Sequence, residues 1–111
     1  MKNRDILKIL HQNEYGAIRK CSCCDEIQIM FGTYFCSLPE DTFLKFAKYL
    51  DTQQLNMADQ MESMPPCQRM LINTGTEKHM LAVRKKELTG LVEVVTMAAI
   101  ILEADNLLQT F

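Results

Sequence analysis

Tryptophan is absent from this chain of 111 residues, and glycine, proline and histidine occur only four, three and two times. There is no glycine-rich phosphate loop, no His-x-x-x-His pair and no Ser/His/Asp or paired-carboxylate constellation that identifies a reaction. Aromatics make up 7% and are not interleaved with Arg or Lys, so Tyr15 and Tyr34 are no platform for stacked bases. Twelve Lys and Arg against 14 Asp and Glu leave a net charge of -2, which gives no field to attract a phosphate backbone, and no nucleic-acid partner is expected. The basic run Arg84-Lys85-Lys86 reads as the solvated start of a helix.

Long apolar runs are missing as well. Met1 to Leu10 is broken by charges and has no apolar signal core, so export is not expected. The most apolar stretch, Val94 to Leu102, is far shorter than the roughly 20 residues a membrane span requires. Five cysteines form no even disulfide framework and are expected to be mostly reduced thiols in a cytoplasmic protein. What is present, 48% apolar and 23% charged residues, fits a single globular domain over 1–111 that buries roughly two-thirds of its unfolded surface.

Strand formers punctuated by turn residues dominate the first third. They predict strands at Ile6–Gln12, Ala17–Cys21, Ile27–Phe31 and Tyr34–Ser37, with turns at Asn13-Glu14-Tyr15-Gly16, Cys24-Asp25-Glu26 and Gly32-Thr33. Ser37-Leu38-Pro39-Glu40 has the form of a capping box. Phe43, Leu44, Phe46, Ala47 and Leu50 then give an amphipathic helix of about three turns. Asp51 to Pro66 shows no clear period and reads as a long connection whose Met57, Met61 and Met64 plug the edge of the core. Strands near Gln68–Asn73 and His79–Val83, joined by Thr74-Gly75-Thr76-Glu77, precede a last helix from about Lys85 to Leu108.

That helix is apolar around its whole circumference, more than one sheet and one helix are expected to cover, so a homodimer sharing it or the sheet face is expected. Laying the chain on itself at an offset of 45 sets Leu38, Phe43, Phe46, Ala47 and Leu50 on Val83, Leu88, Leu91, Val92 and Val95. Both halves then read as a hairpin followed by a helix. The expected architecture is α+β: a mostly antiparallel sheet of about six strands, packed on one face by two helices, in the order ββββα-ββα.

Cys21-Ser22-Cys23-Cys24 is the motif closest to chemistry. Cys21 and Cys24 have the spacing of a zinc knuckle, but a tetrahedral site needs two further ligands. A first hairpin turning at Tyr15-Gly16 would set Leu10 opposite Cys21 and His11 opposite Lys20, pointing His11 away. Cys36, opposite Ile29, would lie about 16 Å along the strands. Acidic, reactive Cys-x-x-Cys thiols usually sit at a helix N-terminus, and this pair lies between strands. His79 reads as an ordinary strand histidine, and His11 takes the same reading.

The runs Gly16-Ala17-Ile18, Cys21-Ser22-Cys23-Cys24 and Ile27 to Gly32, followed by a helix carrying Phe43 and Phe46, resemble a family of small uncharacterised bacterial proteins found mainly in Bacteroidetes. The resemblance implies a cytoplasmic bacterial protein with Cys21 and Cys24 as its Cys-x-x-Cys, and no assigned activity. The leading functional expectation is therefore a non-catalytic interaction or scaffolding protein, homodimeric and without a cofactor. The alternatives are a zinc-binding regulatory protein with Cys21 and Cys24 as metal ligands, and a thiol redox protein.

Overall fold

The computed structural model describes residues 7–21, 24–76 and 79–109. Its elements are β1 (Leu7–Gln12), β2 (Gly16–Cys21), β3 (Glu26–Phe31), β4 (Tyr34–Pro39), α1 (Glu40–Glu62), β5 (Arg69–Thr76), β6 (His79–Arg84), a 3-10 turn at Lys85–Glu87 and α2 (Leu88–Gln109). The α+β class and the order ββββα-ββα are those the sequence led us to expect. The six strands divide between a four-stranded antiparallel meander, β1-β2-β3-β4, and a separate β5-β6 ribbon. A two-stranded ribbon is marginal alone. This one buries Ile72, Leu81 and Val83 in the common core and packs β5 against α1.

Alternation sets the meander. Ile27, Ile29 and Phe31 of β3 and Cys36 and Leu38 of β4 point into the core, and Ile29 pairs with Cys36 as expected. The inner face carries both helices, α2 over β1 and β2 and α1 over β3 and β4. The helices run antiparallel: Asn106 of α2 donates to Glu40 at the start of α1 (2.8 Å), and Lys85 pairs with Glu62 at its end (3.2 Å).

The first hairpin departs from expectation. Asn13 closes its turn, accepting at Oδ1 from the amides of Tyr15 (3.0 Å) and Gly16 (3.1 Å), so Gln12 pairs with Ala17 and Leu7, not Leu10, faces Cys21. A register shift between Ile9 and His11 inserts Leu10 as an extra residue. Gly16 is required because a Cβ there would collide with the Met30 carbonyl on β3.

Helix α1 is the second departure, 23 residues long where three turns were expected. Met57 and Met61 continue the buried stripe of Phe43, Phe46, Ala47 and Leu50, while exposed polar residues between them hide the period. Asp51 to Glu62 is thus helix, and Met57 and Met61 fill the core edge as their chemistry suggested. The Ser37 to Glu40 capping box does not form. Ser37 pairs with Gln28 in the ladder, β4 runs on to Pro39, and Glu40 receives Lys20 (3.4 Å) instead. In the β5–β6 hairpin, β5 continues through the expected turn to Thr76, aided by Gly75 at φ +105° and an Asn73 side chain that accepts from its amide. Glu77 lies outside the described residues.

One sheet and one helix cover α2 better than its composition suggested. Leu91, Val94, Val95, Ala98 and Leu102 are fully buried, and between Leu88 and Leu102 only Met97 and Ile100 among the large apolar residues are exposed. All ten positions of the offset-45 correspondence are buried. Met61→Ala should cost about 2–5 kcal/mol in denaturant unfolding. Leu55→Ala, on the exposed side of the same helix, should stay within about 0.5 kcal/mol. Equal effects would show that residues 51–62 do not pack as this helix.

Candidate functional site

The bulge in β1 sends Lys8, Leu10 and His11 to the α2 side. Lys8 pairs with Asp105, Leu10 enters the core, and His11 Nε2 lies 2.6 Å from Glu93 Oε2. A carboxylate has no proton to give at neutral pH, so the imidazole nitrogen is the donor. Asn13 Nδ2 donates to Glu93 Oε1 (2.6 Å) and to the Gly90 carbonyl (2.9 Å). Beside it the Tyr15 ring rests against Gly90 and stacks on Phe31, centroids 6.1 Å apart. Asn13, Glu14, Tyr15, Lys86, Thr89, Gly90 and Glu93 line an open cleft of about 340 Å3.

This is the densest polar constellation among the described residues, and its bonds turn inward. Both Glu93 oxygens are occupied, and Asn13 uses two donors and two acceptor positions within the protein. Asn13 first, and His11 second, hold the Glu93 carboxyl below the ordinary glutamate value of 4.5. The arrangement therefore acts as a latch between the β1–β2 turn and the first turns of α2. Reading His11 as an isolated strand histidine missed it, because Glu93 is 82 residues away and no local spacing links them.

The cysteines are dispersed. Cys21 ends β2, buried but apart from the main core cluster, and Cys24 is exposed in the following loop, where Asp25 adopts φ +56°. Cys23 lies outside the described residues. Cys36 is buried on β4, and that burial pushes its thiol pKa up, partly offset by Tyr34. Burial first, and Cys36 second, also push the Tyr34 hydroxyl above the usual tyrosine range. Cys67 is exposed between α1 and β5. Among the described residues no three His, Cys, Asp or Glu side chains gather where they could hold a metal ion. His11 is engaged by Glu93.

A second opening, about 430 Å3, lies between the helices. Leu44, Lys45, Ala47, Lys48 and Asp51 of α1 face Thr96, Ala99, Ile100 and Glu103 of α2 across it. Beside it Met97, Ile100, Ala104 and Leu108 form an exposed stripe on α2.

Two measurements check the latch. An alanine Cβ at position 90 would enter the Tyr15 ring. Gly90→Ala should therefore destabilise by about 1–3 kcal/mol through overpacking. In a Tyr15→Ala background the same change should stabilise by up to about 1 kcal/mol, the helix preference of alanine over glycine. A group whose folded pKa is depressed adds stability above its unfolded pKa and loses it as pH falls through the folded value. The denaturant midpoint should accordingly fall on acidification below about pH 4.5, and Glu93→Gln should flatten that limb. An unchanged acid limb would remove Glu93 from the latch.

Among the described residues no helix is long and apolar enough to cross a membrane. No curated protein and no solved structure matches the chain. A family model, however, matches it over residues 1–108, and the chain belongs to that family, a family of unknown function (DUF6686).

Proposed function

We propose that this is a non-catalytic interaction protein that works as a homodimer through the outer surface of its helix pair. The observation that carries this reading is the exposed stripe Met97, Ile100, Ala104 and Leu108 beside the groove floored by Ala47 and Ala99. Steps of three and four residues keep the stripe on one helix face, the spacing at which two helices interlock.

Charge selects the partner. The groove carries Lys45 and Lys48 together with Asp51 and Glu103, so its surface has both signs. A two-fold axis repeats the same patch on both copies, and a patch of both signs can complement itself. A second copy of the chain therefore fits this surface, its apolar stripe entering the groove and the charges forming a rim. Catalysis finds less support, because the Glu93 constellation directs its bonds into the fold.

Sedimentation equilibrium at micromolar concentration should give twice the chain mass of 12.8 kDa. Ile100→Glu should return a folded monomer with an unchanged circular dichroism spectrum. Lys48→Glu and Glu103→Lys should each weaken association, and their combination should restore part of it. A wild-type monomer across the micromolar range would overturn the dimer.

A further inference from the structure

The face of the meander turned away from the helices carries a different pattern. By the strand register Ile9, Arg19, Gln28 and Ser37 lie side by side across it, with Ala17, Met30 and Phe35 in the next row. Ile9 and Phe35 are 52% and 56% exposed. Arg19 sits near the middle. Its Nη2 donates to Gln28 Oε1 at 3.0 Å, its Nε is buried with no acceptor, and no carboxylate among the described residues pairs with it.

A guanidinium stays charged at any working pH, and its planar fork matches a carboxylate with two parallel hydrogen bonds. The nearest polar neighbour of Arg19 is a neutral amide, and Glu26, two residues further along β3 on the same face, forms no ion pair with it, so among the described residues this cation lacks a carboxylate partner. A second copy of the chain is a poor occupant. Two-fold pairing centred on this row would bring two Arg19 side chains toward each other, and like charges oppose such contact. Nucleic acid is also a poor fit, since a phosphate backbone is held by many cations and this row offers one.

We infer that the outer face of the β1–β4 sheet docks a segment of another protein in which an Asp or Glu carboxylate is flanked by large apolar side chains. The carboxylate meets Arg19, and the flanking side chains cover Ile9, Met30 and Phe35. The inference rests on the interaction reading above, but on a separate surface, and it does not require dimerisation.

The test is a random-peptide display library panned on the full chain, followed by synthesis of the enriched consensus peptide. The expected consensus has an acidic residue among large apolar ones. Its binding should fall at least about tenfold on Arg19→Gln, or on exchanging its acidic residue for the amide. Amide chemical-shift changes should cluster on β2 and β3, and Ile100→Glu should leave affinity unchanged. Should Arg19→Gln fail to fold, Phe35→Ala, at an exposed position, should weaken binding in its place. No enriched peptide, a consensus without acidic residues, or binding indifferent to both substitutions would overturn the inference. Shifts confined to α1 and α2 would end it while leaving the interaction reading standing. A drop in sedimenting mass on Phe35→Glu would assign the face to a second copy instead and overturn it as well.

Discussion

A helix as apolar as α2 has to be covered on most of its sides, and the placement of the other elements follows from how this is done. β1 and β2 lie under one side, α1 lies along another, and Leu91, Val94, Val95, Ala98 and Leu102 are fully buried. Burying a Leu, Ile or Val side chain is worth about 1.5–3 kcal/mol. A polar contact at a solvent-exposed rim, such as Lys8 with Asp105, is worth about 0–1 kcal/mol. Burial therefore supplies most of the stability. The rim contacts decide which way α2 lies across the sheet.

That division of labour explains why a latch of such specific geometry occurs at Glu93. The β1–β2 hairpin forms one end of the sheet, and apart from Tyr15 its turn residues carry little apolar surface of their own. Asn13 organises the turn with one end of its amide and grips α2 with the other, so a single side chain links turn conformation to helix position. Gly90 lets the Tyr15 ring approach α2 closely, and Phe31 holds the ring from the sheet side. β1 is also an edge strand, and its bulge and Lys8 discourage pairing with another sheet.

Much of the fold was legible in the sequence because its signals are local. The alternation in Glu26–Phe31 gave β3, the Gly32-Thr33 turn set Ile29 opposite Cys36, and continuous apolarity marked α2. The misreadings arose where a side chain or a tertiary contact overrode local pattern. The Asn13 turn moved the hairpin register by two residues and the Leu10 bulge by one more, and ladder pairing kept Ser37 from capping α1. Polar turns concealed the helical course of residues 51–62, which is visible only in the widely spaced Met57 and Met61. The candidate sites were less legible still. His11 and Asn13 meet Glu93 across some eighty residues, and the outer sheet face is defined by register alone. The cysteine motif, conspicuous as a string, is divided between a buried strand end and an exposed loop.

Charge distribution separates the two exposed surfaces by the kind of partner each can accept. A homotypic interface repeats every residue about its axis, so it tolerates a patch of both signs and opposes one of a single sign. The helix pair has Lys45 and Lys48 beside Asp51 and Glu103, whereas the centre of the sheet face has Arg19 with Gln28. Self-association through the helices and recognition of an acidic segment through the sheet are therefore compatible in one molecule, because the surfaces lie on opposite sides of the same core. Rim charges around the helix groove are screened by salt, with a Debye length of about 8 Å at physiological ionic strength. A carboxylate held against the partly buried Arg19 is screened less. The proposed dimer should thus respond to ionic strength mainly through its rim, and the proposed docking face mainly through the identity of one residue.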